Sequence, residues 1–365
     1  MKLVTESGLW TTGAAVAAVP AVAVLEVSGA VLAWTVDDPT AEVHVTFTNI
    51  AAAEWLWRVV GEAGHVALLA ALDSPSDSDL ALDVPDAELS PDGLAPLRRL
   101  ALGHWLRRWW PASARDGIVG LDPVVLDGEL ALLTSVAQDY FIEDTFDSDV
   151  AGLLRPHRTG FAERAGSGDP RVATLVMACA ELADESGGAA GDLADARVEA
   201  PRRDDYALAA GSNGARTSTE PIARGVGSVN WSAVPPGLFD AADGTIEWSI
   251  EPAGSAVATV RVATSASVAG IEVRLRSGAF SAEGTLDADG RVTLPLFGAD
   301  QRPVPEAQAW DHDWRMTAVT VGADVADSPE AAQLRERLRG FARSRLARPG
   351  DDAFLAELLA AESDY

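Results

Sequence analysis

The side chains of this sequence best suited to acid–base chemistry are one histidine, an arginine pair and two carboxylates. His104, Arg107 and Arg108 share the segment His104–Trp110 with Trp105, Trp109 and Trp110, and Asp139 and Glu143 belong to a carboxylate-rich stretch that ends at Asp149. A carboxylate serves as general acid or base when burial or neighbours move its pKa towards neutrality. Asp139 or Glu143 beside His104, Arg107 and Arg108 would make a hydrolase with its site in a helical region. Tryptophan and arginine are also the residues enriched at interface hot spots, so the same segment suits contact with a protein partner.

Helical spacing divides that segment. Trp105 and Trp109 fall on one stripe with Leu102 and Leu106, the pattern of a core face. Trp110, Arg107 and Arg108 lie off the stripe and are the candidate binding residues, with His104 beside them. Asp139, Glu143 and Asp147 would share a face if their helix persisted, but a helix end and a new cap are expected near Asp147. Without an EF-hand loop or a neighbouring histidine, the run reads as a solvated or arginine-paired surface and no metal site is assigned.

Other motifs lead less far. Asp287-Ala288-Asp289-Gly290 contains part of a calcium-loop pattern but lacks the remaining ligands, so a tight turn joining two hairpin strands is expected. Asp311-His312-Asp313 sets an imidazole among carboxylates, which favours its protonated form, within a strand-entry loop. Gly225-Val226-Gly227-Ser228-Val229 lacks the closing glycine of a nucleophile elbow. Lys2 is the only lysine, so neither a P-loop nor a Schiff-base lysine is available, and no cofactor is expected. Cys179 falls on an apolar helical face, where an inert core thiol is expected. The histidines His44, His65, His104, His157 and His312 never fall four apart, which argues against a zinc site recognisable from spacing.

The elements that position these residues predict an α+β multidomain chain. A small α+β element spans residues 1–75, with a hairpin from Ala21–Val27 to Ala30–Val36 through Ser28-Gly29, a strand at Glu42–Thr48 and a helix capped by Asn49. Asp73–Gly93 reads as a loop. A helical bundle spans 94–184, with helices expected at Leu94–Trp110, from Asp122 or Asp127 to about Phe141, at Asp149–Leu154 and at Pro170–Asp184. Glu185–Pro221 has linker composition. An antiparallel β-sandwich spans 222–325, with strands at Thr245–Ile250, Val257–Ala263, Ile271–Arg276, Phe280–Leu286, Arg291–Leu296 and Met316–Val321. A C-terminal helical extension spans 328–365. It opens at Ser328-Pro329-Glu330 and places Leu334, Leu338, Phe341 and Arg345 on one stripe.

With 365 residues and 48% apolar content the chain can bury a substantial core. The formal charge of −27 disfavours nucleic acid and anionic membrane as partners. No apolar run is long enough for a membrane span, and Glu6, Pro20 and Glu26 spoil the Thr11–Trp34 run as a signal peptide. One cysteine allows no internal disulfide, which fits a cytoplasmic protein. Arginine in place of lysine looks like GC-rich bacterial coding. Without a coherent catalytic set, the sequence points first to a non-enzymatic, cytoplasmic interaction or accessory component of a bacterial multiprotein system, and second to the hydrolase above.

Overall fold

The computed structural model describes residues 1–14, 16–73, 81–138, 150–166, 168–185 and 220–363. The architecture is mixed α+β, with three antiparallel sheets among the described residues. The chain divides into two compact units, one from Met1–Trp110, Val119–Ala196 and Gln333–Tyr365, the other from Pro111–Ile118 and Arg197–Ala332. Among the described residues no helix is long and apolar enough to cross a membrane.

The first unit opens with strands β1 (Lys2–Glu6), β2 (Leu9–Thr11), β3 (Val22–Val27), β4 (Ala30–Thr35) and β5 (His44–Phe47). β3 and β4 form the expected hairpin, with Val27 opposite Ala30 and Gly29 at φ 71° in the turn. Any Cβ at Gly29 would lie 2.1 Å from the Asn49 carbonyl oxygen, so the turn needs glycine for space as well as for φ. Asn49 caps a short 3₁₀ turn, and helix α1 (Trp57–Asp73) follows with a break at Gly61. A short strand β6 (Ala81–Asp83), within the stretch expected to be a loop, pairs with β1 at the edge of a six-stranded sheet ordered β3-β4-β5-β2-β1-β6.

Helix α2 (Pro91–Trp109) begins three residues before the expected Leu94, because Ser90 accepts the Gly93 N–H and Pro91 suits the first turn. Helices α3 (Pro123–Gln138), α4 (Val150–Leu154), α5 (Arg158–Ala165) and α6 (Pro170–Glu185) follow. Asp122 caps α3 through the Val124 N–H. Trp105 is 2% exposed and donates its indole N–H to the Pro20 carbonyl, tying α2 to the entry of β3. The expected core stripe therefore holds at Leu102, Trp105 and Leu106, whereas Trp109 is half-buried beneath the Arg108 guanidinium, 4.0 Å above its ring.

In the second unit, β7 (Ala223–Gly227), β8 (Ile246–Pro252), β9 (Ala256–Val262) and β12 (Arg291–Pro295) form a sheet ordered β12-β9-β8-β7. β10 (Glu272–Ser277), β11 (Phe280–Thr285) and β13 (Ala318–Val321) form another, ordered β11-β10-β13. Both sheets feed one buried cluster that includes Trp248, Val260, Leu275 and Leu294. The Asp287–Gly290 turn forms as expected, with Asp287 accepting the Asp289 and Arg291 N–H groups and Gly290 at φ 72°. Its flanking strands are not a hairpin: β11 pairs with β10 and β12 with β9, so the turn carries the chain from one sheet to the other. Alternation predicts each strand but cannot choose its partner.

After helix α7 (Glu306–Trp310), the chain passes through β13 to α8 (Pro329–Ala347) and α9 (Leu355–Ser363). Ser328 accepts the Ala331 N–H at the start of α8, as expected. The buried positions of α8 are Arg335, Leu338, Arg339 and Ala342, so two arginines join Leu338 on the buried face, while Leu334 and Phe341 of the expected stripe are half-buried. The Gln333–Tyr365 part of the chain, which holds most of α8 and all of α9, belongs to the first unit, and Phe354, Ala356 and Glu357 are each at most 1% exposed.

Candidate functional site

One of the expected site residues, Arg107, meets His157 at Asp127, a carboxylate that the sequence suggests only as a possible helix start. Asp127, in the second turn of α3, is almost fully buried. Its Oδ1 accepts the Arg107 Nε–H at 2.7 Å, and its Oδ2 accepts the His157 Nε2–H at 2.8 Å. Arg107 comes from the last turn of α2 and His157 from the 3₁₀ turn ahead of α5. His157 is further set by Phe161, edge-to-face at 6.3 Å between ring centres. The imidazole is thus oriented by a charge-assisted bond on one side and an aromatic edge on the other.

His104 stands one turn before Arg107 and is half-buried. Burial, then the Arg107 cation, holds its pKa below the ordinary imidazole range against a smaller opposing pull from Asp127. Its neutral form is thereby favoured. Trp110 spends its indole N–H on the Val119 carbonyl at 2.8 Å, which leaves no donor for a ligand. Arg108 covers Trp109. Asp139 and Glu143 lie outside the described residues.

The arrangement can hold one imidazole in a fixed tautomer. Because Asp127 accepts from Nε2, Nδ1 is the ring nitrogen left to act as a base. Asp127 and His157 had little local signal: their contact joins positions 30 apart in sequence. The available hint was Asp127 and Glu129 standing among Val124, Val125, Leu126, Leu130 and Leu132, where a charge in an apolar helix calls for a buried partner.

Several other chemically capable groups among the described residues are tied up structurally. Cys179 donates to the Gly128 carbonyl at 3.6 Å, and burial, followed by the Glu129 charge, pushes its thiol up to about 12. It lines an apolar cleft of about 350 Å³ with Phe161 and Val176. Ser228 accepts the Gly244 N–H and follows a strand, so no nucleophile elbow forms. In the second unit His312 Nε2 lies 2.9 Å from Ser277 Oγ, and the Thr317 hydroxyl also donates to Ser277. Ser277 is only 1% exposed, which closes it to a substrate. His312 is held between Phe280 and Trp314, each 4.6 Å away between ring centres, while Asp313 pairs with Arg315. The Asp240 carboxylate, also buried, accepts the Ala114, Arg115 and Ala242 N–H groups and thereby ties Pro111–Ile118 to the second unit.

Among the described residues, no group of three or more His, Cys, Asp or Glu is arranged to hold a metal ion. No protein-family model, no curated protein and no solved structure matches the chain.

Proposed function

We propose that the protein is a non-enzymatic interaction component of a bacterial multiprotein system, acting in the cytoplasm. In this reading the two sheets of the second unit form an antiparallel sandwich, the helices of the first unit form a bundle, and neither unit works on a substrate. One observation carries it: Trp310 and Met316, 55% and 82% exposed, flank the ordered His312–Trp314 cluster of the second unit. A large aromatic ring and an adaptable thioether supply apolar contact area, and both residue types are enriched in interface cores. The cluster beneath them is fixed by the Trp314 indole N–H on the Ala309 carbonyl and by the Ser277–His312 bond.

The test is affinity isolation from native extract with the unaltered chain and with Trp310→Ala plus Met316→Ser, followed by reconstitution from purified components. A defined protein that binds the unaltered chain at micromolar concentration or better and is lost with the double variant supports the reading. Recovery of no partner, or equal binding by the variant, overturns it.

The Asp127–His157 pair favours a second reading, a hydrolase that uses His157 Nδ1 as its base. Turnover of an ester, amide or phosphate-ester substrate that disappears in His157→Ala would support it. Absence of turnover across such a panel, or equal turnover in that variant, would sink it.

A further inference from the structure

The four-stranded sheet of the second unit treats its two edges differently. At β12, Val262 donates its N–H to the Gly290 carbonyl, so Val262, Val260 and Ala258 face that strand while Arg291, Thr293 and Pro295 turn outward. This edge is blunted. The Arg291 carbonyl accepts the Asp287 N–H at 2.9 Å, and Pro295 has no N–H to offer a further strand.

The β7 edge has neither device. The Ile250 carbonyl accepts the Ile222 N–H, so Ile250, Trp248 and Ile246 turn their backbone towards β7, where Ala223, Gly225 and Gly227 stand opposite them. Arg224 and Val226 consequently aim their N–H and C=O groups away from β8, and no strand among the described residues pairs there. Their side chains are exposed as well, Val226 to 71%. An open row of this kind is a template for another strand.

The strand that fits is β7 itself. Turned antiparallel about Gly225, two copies set Arg224 of each opposite Val226 of the other, and in both pairs each residue exchanges its N–H and C=O with its partner. The axis then falls on two glycines, with no side chain to crowd it. Charge agrees with this register. On the solvent face Val226 stands between Glu247 of β8 and the incoming Arg224, whose backbones would be about 10 Å apart, a span that the two side chains cover together. Arg224 and Glu247 are both exposed, and neither makes an ion pair with another described residue. The two guanidiniums lie diagonally across the axis, and the two glutamates offset their repulsion.

We propose that the protein associates with a second copy of itself through β7, joining the two four-stranded sheets edge to edge. Only Arg224 and Val226 of each copy supply main-chain bonds, so the contact is small and the association weak and dependent on concentration. It uses neither Trp310 nor Met316 and is independent of the interaction reading.

Sedimentation equilibrium of the full chain from about 5 µM to about 500 µM should show the mean mass climbing from that of one chain towards that of two. Val226→Pro deletes an N–H that the chain does not use in its own sheet, and edge strands tolerate proline on that side, so this variant should fold and remain a single chain. Should it fail to fold, the charges decide. Arg224→Glu should weaken association at least about tenfold, and adding Glu247→Arg should restore it, because opposite charges again meet across the axis. A single chain at every concentration, a dimer that persists in Val226→Pro, or one indifferent to Arg224→Glu overturns the proposal. So does a dimer lost in Trp310→Ala plus Met316→Ser and kept in Val226→Pro, which would place the contact on the other surface.

Discussion

Asp127 and His157, placed 30 residues apart in sequence, are joined by a 2.8 Å bond between a carboxylate and an imidazole at the meeting of α3 and the turn ahead of α5. Arg107 completes the group from α2, so one buried carboxylate ties three segments. Replacing it should weaken both ties together. Asp127→Asn keeps the shape and one acceptor but loses the charge, and hydrogen bonds to charged groups are each worth about 1.5–3 kcal/mol. Arg107 is half exposed, which discounts its share. The expected loss is about 1–3 kcal/mol of unfolding free energy, measured by urea denaturation; a loss below about 0.5 kcal/mol would remove Asp127 as an organising residue.

Gly103 leaves a notch between Leu130 and Phe354, which makes a steric prediction. Gly103→Ala adds one methyl between Leu130 and Phe354 and should cost about 1–3 kcal/mol, as overpacking does. Combining it with Phe354→Leu should cost less than the sum of the two single changes, because the smaller side chain yields the space the methyl needs. Strict additivity in denaturation experiments would show that Phe354 does not occupy the notch.

Glu357 and Arg345 form a buried pair in which one member is wholly hidden and the other nearly so. Removing only the acid, in Glu357→Ala, strands a buried guanidinium with Asp352 as its remaining carboxylate and should cost about 3 kcal/mol, at the low end for broken buried pairs. The double replacement Arg345→Met with Glu357→Leu should be milder than either single change. Denaturation midpoints of the three variants decide it, and a double variant that is the least stable of them would show that the pair contributes net stability.

Legibility followed how local each signal was. The six strands from Thr245 to Val321 could be read because their side chains alternate within a few residues, as with Val260 and Val262 inward and Arg261 outward on β9. β7 was missed because Gly225 and Gly227 weaken a strand pattern; Gly225 is tolerated because the Trp248 indole lies against it, where a Cβ would approach to 2.4 Å. α5 was missed for a related reason: among its residues only Phe161 is buried, so no apolar period marks it. In the candidate site, His104, Arg107 and Trp110 drew notice by type, but Asp127 and His157 gain their meaning only from a contact between distant segments. Arg335 and Arg339 reversed the usual expectation, since arginine is a surface residue unless fully partnered.

Cys179 offers a solvent-accessibility prediction that also bears on α3. Its thiol is buried, donates to the Gly128 carbonyl and is pushed up to about 12, first by burial and then by the Glu129 charge. At pH 8 a thiol of that kind is thiolate in only about one molecule in ten thousand, whereas a free cysteine near its ordinary pKa is about a quarter thiolate. A disulfide reagent such as Ellman's should therefore label the folded chain at least about 100-fold more slowly than the denatured chain. Native labelling within about tenfold of the denatured rate would mean that the cleft beside Phe161 and Val176 admits the reagent and that the α3–α6 contact opens readily. Labelling that accelerates in Gly128→Ala would place the opening at that contact, because a Cβ there stands 3.2 Å from the Cys179 sulfur and pushes the two helices apart.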